Sequence, residues 1–336
     1  MAKTLLSFVI PCYRSARTIG GVVKEIVDTV AERADQFDHE IILVNDGSPD
    51  DVARVIGDLC AEYPQLVFVN LSRNFGQHSA LMAGFAHMRG DVVVCLDDDG
   101  QTPASQCFRL IDKVLEGYDL VFAEYPKRAQ AGFRNLGSRF NAMCNHFFFG
   151  QPKGLKANSY YACQRFVVDA ALRYPNPFPY VTGLLYQSVS RYCNVPVDHR
   201  ARLEGKSGYS IRKLLSLWLN GVTAFSIKPL RFANYLGWLT AVIGFVFALV
   251  TIIRKLCNPD MQAGWSSTIA VMLVLGGVII ALIGVVGEYI GRIYLSINRQ
   301  PQYVVRSVID RREGAPEPHS MPEVSASADC SRGLGA

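Results

Sequence analysis

Apolar positions along the first 125 residues fall in short runs rather than one periodicity. Leu5–Ile10, Glu40–Val44, Leu66–Leu71, Asp91–Leu96 and Leu120–Ala123 are rich in Val, Ile, Leu and Phe. Nearly continuous runs of this kind suit strands buried on both faces. Between them, Thr18–Arg33, Asp50–Tyr63, Gln77–Met88 and Pro103–Glu116 carry helical spacing. The alternation predicts right-handed βαβ units in a mainly parallel, Rossmann-like α/β sheet. Ligands of such sheets bind beyond the carboxyl ends of the strands. Polar residues collect at those ends: Pro11-Cys12-Tyr13, Asn45-Asp46-Gly47-Ser48, Ser72-Arg73-Asn74 and Asp97-Asp98-Asp99.

The C-terminal third has another pattern. Twenty-two residues between Arg231 and Arg254, and 27 between Asp260 and Glu288, carry no charge. Each run exceeds the roughly 20 apolar residues that cross a bilayer, which predicts transmembrane helices over 232–254 and 264–290. A purely soluble enzyme is excluded, and two spans are too few for a typical transporter. Ser210–Phe225 places Ile211, Leu214, Leu215, Trp218, Leu219, Val222 and Phe225 on one helical face. This fits an amphipathic helix lying on the membrane within a juxtamembrane segment 210–231; packing of that face against the soluble domain is compatible with the same pattern. Residues 1–209 then form one α/β domain and 291–336 a tail, disordered after about 311 for its Pro, Ser, Glu and Gly content.

Composition locates the charge. The chain of 336 residues is 50% hydrophobic and 19% charged, with a net charge of +5. Between Arg200 and Arg231, seven Lys/Arg face the single Glu204, a stretch that anionic headgroups attract. No recognition motif points to nucleic acid. Nine cysteines without CxxC spacing read as reduced thiols. The first apolar run is too short for an export signal, so domain and termini are expected in the cytoplasm. Lys228 and Arg231 flank that side, although Arg254 and Lys255 in the outer loop weaken the rule. The pattern allows a homo-oligomer and specifies none.

Three adjacent carboxylates repel one another unless a cation neutralises them. In an extended or turning segment Asp97, Asp99 and Gln101 point the same way, and their oxygens suit Mg²⁺ or Mn²⁺. A bare acidic triplet is most simply a solvated turn; at the carboxyl end of a buried strand a metal site becomes the better reading. Asp46 is either part of a capped turn or a contact to the base or ribose of a nucleotide. Arg73 and a following helix N-terminus would lie near phosphate, whereas His78 reads as structural.

Taken in order, Ser7-Phe8-Val9-Ile10-Pro11-Cys12-Tyr13, Asn45-Asp46-Gly47-Ser48, Asp97-x-Asp99-x-Gln101 and the two spans resemble the membrane-anchored, inverting GT-A glycosyltransferases of family 2. Arg73-Asn74-Phe75-Gly76-Gln77-His78-Ser79-Ala80, Gly205-x-Ser207-x-Tyr209 and Gly287-Glu288-Tyr289-Ile290-Gly291-Arg292-Ile293-Tyr294 narrow this to the polyprenyl-phosphate glycosyltransferases. That group includes the undecaprenyl-phosphate 4-deoxy-4-formamido-arabinose transferases. The resemblance covers roughly residues 5–308. It implies transfer of a sugar from a nucleotide-diphosphate donor, a UDP-sugar being expected, to polyprenyl (undecaprenyl) phosphate at the cytosolic face of a bacterial inner membrane.

By the same resemblance Pro11, Tyr13, Asn45, Asp46, Asp97 and Asp98 line the nucleotide pocket, and Asp97, Asp99 and Gln101 hold the metal. Arg134, Ser138 and Arg202, with Asp99, form the catalytic set around the acceptor phosphate. The chain departs from the family pattern in four places. Asn45 stands for an Asp, Gly100 for a Leu, Ala104-Ser105 for an acidic pair and Tyr161 for an Arg, which implies a variant sugar specificity. A processive synthase is disfavoured because none of Trp218, Trp238 and Trp265 follows an Arg. Another lipid acceptor remains the rival enzyme. Intact Asp97, Asp99 and Gln101 speak against a non-catalytic scaffold that merely binds nucleotide sugars.

Overall fold

The computed structural model describes residues 3–125, 151–152, 154–198, 200, 228–257, 264–298 and 300–312. Each apolar run becomes a strand: β1 (Thr4–Cys12), β2 (Phe37–Asn45), β3 (Leu66–Leu71), β4 (Val92–Cys95) and β5 (Leu120–Glu124). The helices between them are α1 (Ile19–Ala31), α2 (Val52–Glu62), α3 (Gln77–Phe85) and α4 (Cys107–Leu115). Strand side chains alternate between two cores. Leu6, Phe8 and Ile10 join α1, α2 and α4 on one face, while Val9, Ile42 and Val44 join α3 on the other. With both faces covered, no polar face survives along the central strands, and the runs read as continuous.

Pro103 does not open a regular α-helix. It precedes a 3₁₀ turn, Ala104–Gln106, and α4 begins only at Cys107. After β5, the described chain adds β6 (Tyr161–Gln164), α5 (Arg165–Leu172), α6 (Val181–Gln187) and β7 (Tyr192–Pro196), none of them anticipated. The sheet order is β7-β5-β6-β4-β1-β2-β3-β8. Strands β3, β2, β1 and β4 are parallel, and β6 lies antiparallel between β4 and β5.

Two long helices follow, α7 (Lys228–Cys257) and α8 (Trp265–Ile297). Each is long enough to cross a bilayer, and their apolar windows Leu230–Phe247 and Val274–Ile297 have mean hydropathies of 1.4 and 2.1. Core helices of a soluble protein would be buried, whereas only 6% and 0% of these windows are. The juxtamembrane helix expected over 210–231 lies outside the described residues up to position 227.

The tail differs from expectation. Helix α8 continues past residue 290 to Ile297, and Val305–Asp310 forms β8, antiparallel to β3 at the sheet edge. Arg312, at the start of the stretch expected to be disordered, is held firmly. Its guanidinium meets Glu40, the Asp310 carboxylate (2.8 and 2.5 Å) and the carbonyl of His87 (3.0 Å). Glu40 is 2% exposed and also accepts from the Ser7 hydroxyl (2.5 Å) and the Arg89 and Gly90 amides (2.5 and 3.1 Å). A buried carboxylate persists only when its oxygens are matched in this way.

Removing one partner of a buried pair leaves an uncompensated charge, an effect of about 3 kcal/mol or more. Arg312→Ala should therefore lower the urea midpoint of the detergent-solubilised chain at pH 7. Burial works to raise the Asp310 carboxyl, but the Arg312 bonds outweigh it and hold it below its usual range. A depressed carboxylate stabilises above its unfolded pKa, so this contribution should fade as pH falls through the acidic range. An unchanged midpoint at pH 7 would refute the assignment.

Candidate active site

Four loops meet at the carboxyl edge of β1, β2, β3 and β4. The loop after β1 is strained, because Arg14 takes φ +60°, a region that non-glycine residues occupy only where surroundings impose it. The imposing contacts are explicit. Tyr13 N–H donates to Asp98 Oδ2 (2.9 Å), Arg14 N–H to Ser48 Oγ (2.7 Å) and Ala16 N–H to Asp50 Oδ2 (3.0 Å). Pro11 ends beside Val44, and the Tyr13 ring stands 44% exposed with the Arg14 guanidinium over it at 5.5 Å. The Asp98 carboxylate thus orients the Tyr13 backbone. Burial pushes Asp98 up to about 6.

Asp46 is also turned inward. At 3% exposure it accepts the Phe75 amide on Oδ1 (2.7 Å) and the Gly76 amide on Oδ2 (2.9 Å), and Asn74 Nδ2 donates to its carbonyl (3.0 Å). The amides that lead into α3, expected to face phosphate, already have an anion in place. Burial raises the Asp46 carboxyl, and the two amides oppose that rise. Gly47 adopts φ +57°, and a Cβ there would lie 2.3 Å from the Arg73 carbonyl carbon. The β2–α2 and β3–α3 loops thus meet backbone to backbone, and only glycine fits.

Asn45 is buried. Its Nδ2 donates to Asn70 Oδ1 (2.9 Å) and its Oδ1 accepts the Ser48 amide (3.0 Å). An aspartate would lose the amide donor that Asn70 receives, so this departure is matched inside the fold. His78 is structural, as expected: its ring packs edge-on against Tyr180 at 5.2 Å, and burial pushes it down to about 4.

The acidic loop follows β4. Asp97 accepts from Gln77 Nε2 (3.3 Å) on Oδ1 and from the Ser159 hydroxyl on Oδ2. Asp99 Oδ1 accepts the Gln101 amide (3.0 Å). Gly100 between them takes φ +71°, a conformation leucine adopts only under strain. Beside Ala104-Ser105, acidity comes from elsewhere: Glu25 of α1 accepts the Ser105 amide (3.0 Å) and pairs with Arg200 (2.8 Å), whose own amide donates to the Gln101 carbonyl (3.2 Å).

Ser159 and Tyr160 are site residues that sequence reasoning missed. The Tyr160 hydroxyl donates to the Pro103 carbonyl (3.1 Å), so the segment entering β6 braces both ends of the acidic loop. Nothing in the local pattern marks a serine 62 positions from its partner. Tyr161, in contrast, is 1% exposed and packs on Phe122 with ring centroids 5.4 Å apart. It belongs to the core on the α3 side of the sheet. Arg134, Ser138 and Arg202 lie outside the described residues.

The residues expected to hold a metal, Asp97, Asp99 and Gln101, offer carboxylate and side-chain amide oxygens. Hard divalent cations take such ligands and fill their remaining positions with water or phosphate oxygens. Among the described residues no group of three or more His, Cys, Asp or Glu is placed to hold a metal. Cys12 and Cys95 beneath these loops, and Cys60, Cys107, Cys163 and Cys193, are free thiols.

Residues 7–173 match the glycosyl transferase family 2, and residues 228–293 match the GtrB C-terminal hairpin. The undecaprenyl-phosphate 4-deoxy-4-formamido-L-arabinose transferase of Enterobacter sp. (strain 638) is 33% identical over 310 residues, covering 91% of this chain and 94% of that protein. Its namesake in Sodalis glossinidius is 35% identical over 311 residues, covering 91% and 94%. Among solved structures, glucosyl-3-phosphoglycerate synthase from Mycobacterium tuberculosis, in complex with Mn²⁺, UDP-glucose and phosphoglyceric acid, superimposes with a TM-score of 0.49 at 18% identity, covering 66% of this chain and 78% of that one. The parallel sheet with its loop cluster and the paired apolar helices are thus both accounted for: the chain is a glycosyltransferase of family 2, in the branch that carries a GtrB-type C-terminal hairpin.

Proposed function

We propose that the protein transfers a sugar, with inversion, from a nucleotide-diphosphate donor to a polyprenyl phosphate such as undecaprenyl phosphate. The observation that carries this reading is the return of the chain. Strand β8 joins the sheet whose edge forms the site, so α7 and α8 leave and re-enter on one side. Two membrane crossings meet that constraint. A lipid phosphate at the headgroup level and a soluble donor can then reach one cleft. We assign that cleft to the cytosolic face of a bacterial inner membrane, with both termini cytoplasmic. The relatives named for undecaprenyl-phosphate transfer, aligned over 91% of the chain, support the acceptor class.

The donor's base stacks on the exposed Tyr13 ring beside Pro11, while Asn45 and Asp46 fix the shape of the loops around it. Asp97, Asp99 and Gln101 would hold Mg²⁺ or Mn²⁺, which when bound offsets the charge developing on the departing diphosphate. A phosphate monoester with a second pKa of about 6 is largely dianionic at neutral pH, so its oxygen attacks the anomeric carbon without a general base. The bond from that carbon to the diphosphate breaks as the new one forms. Arg134, Ser138 and Arg202 align the acceptor, and an Arg fork grips phosphate oxygens bidentately.

Three outcomes test this reading. Asp99→Asn should abolish sugar transfer to radiolabelled polyprenyl phosphate while leaving the folded, membrane-bound protein intact, and excess chelator should do the same; full turnover in chelator would refute the metal assignment. Arg202→Lys keeps the charge but loses the fork, so transfer should fall at least about tenfold, equivalent to 1.4 kcal/mol, with donor binding unchanged; equal loss of donor binding would move Arg202 to the donor side. The intact chain should resist extraction from membranes by carbonate or high salt, and its release by either would remove the two spans.

A further inference from the structure

The chain that leaves α8 is fastened step by step to the catalytic domain before β8 begins. Ser296 Oγ donates to Asn176 Oδ1 (2.5 Å), and Gln302 Nε2 donates to the carbonyls of Tyr174 (2.6 Å) and Asn176 (2.9 Å). Tyr303 packs against the core on the α3 side of the sheet. Both main-chain groups of Ser72, the first residue of the β3–α3 loop, are then engaged. Its N–H donates to the Val304 carbonyl (2.9 Å), and its carbonyl accepts from Arg306 Nη2 (3.1 Å). The ladder slips at this point: Ser307 pairs with Asn70 but Val305 pairs with Leu71. Arg306 is the extra residue, and a bulge of this kind re-aims a side chain. Here it sends the guanidinium over the end of β3.

The loop that starts at Ser72 supplies the Phe75 and Gly76 backbone amides that Asp46 accepts, and it leads into Gln77, whose side-chain Nε2 donates to Asp97. Its other flank is held as well, because the segment Gln302 grips leads to Tyr180, whose ring meets His78 of α3. We propose that Arg306 and Gln302 are positioning residues that couple the apolar helical hairpin to the donor side of the site through the β3–α3 loop. Neither touches the reacting groups; both act through Ser72 and the 174–176 segment. The effect on donor binding rests on the glycosyl-transfer reading above, whereas the effect on the loop does not.

The experiment uses the full-length chain in detergent or nanodiscs, with Arg306→Ala, Gln302→Ala and Arg306→Lys. Amide hydrogen exchange reads the loop, and titration with UDP or GDP in the presence of Mn²⁺ reads the donor side. Exchange over residues 72–77 should quicken by about fivefold or more in both alanine variants, the small end of couplings between sites. Exchange in β1 and β2 and the thermal midpoint should not change. Nucleoside-diphosphate affinity should weaken to a similar degree, and Arg306→Lys should recover part of both losses because an ammonium still donates to one carbonyl. Wild-type exchange over 72–77, or faster exchange spread across the sheet with a lower midpoint, would overturn the proposal. So would a loosened loop with undiminished affinity. Wild-type protein that binds neither nucleotide would overturn the glycosyl-transfer reading, and the exchange result would still decide whether the segment holds the loop.

Discussion

One buried carboxylate joins the loops on which the site depends. Asp46 is 3% exposed, and its two oxygens take the amides of Phe75 and Gly76. Hydrogen bonds to a charged group contribute roughly 1.5–3 kcal/mol each, whereas an unmatched buried carboxylate costs several. The two loops therefore keep their relation or lose a large fraction of the domain's stability. Gly47 makes the approach sterically feasible, and Gln77, one residue beyond Gly76, falls against Asp97.

Negative charge is distributed by role around that edge. Asp98 is driven toward its neutral form by burial and holds the strained Tyr13–Arg14 turn. Asp97 and Asp99, on alternate positions, stay at the edge, where Gln77, Ser159 and the Gln101 amide orient them. The three neighbouring acids thus differ in their contacts: Asp98 holds the Tyr13 amide, whereas Asp97 meets Gln77 and Ser159 and Asp99 meets the Gln101 amide. The same separation explains how Asn45 is accommodated, since its amide is consumed by Asn70 and Ser48 within the fold.

The hairpin obeys a different physics from the sheet. Its helices expose Phe232, Trp238, Phe245 and Ile280 at 68% to 72%, and exposed apolar patches of this kind mark protein or membrane interaction sites. The domain instead buries its apolar side chains in two cores, one on each face of the sheet. The link between the two is the short stretch 296–312, and its polar contacts tie the apolar hairpin to the β3–α3 loop. Arg312 ends that link at Glu40, far along β2 from Asn45.

The sequence by itself determined the parallel strands, the helices between them, the two apolar helices and the acidic loop, because each is written in a local period or a contiguous run. Residues 5–10 and 66–71 are strands for reasons contained in those residues, and the GT-A reading followed from motifs at strand ends. Only the tertiary structure decided which way Asp46, Asn45 and Asp98 face, since an inward or outward carboxylate leaves the same sequence pattern. It alone brought Ser159 to Asp97 and Val304 and Arg306 to Ser72, pairs separated by 62 residues and by more than 200. Short antiparallel strands such as β6 and β8 carry too few apolar residues to be read locally. Their pairing is set by the open edges of a sheet that exists only once the rest has folded.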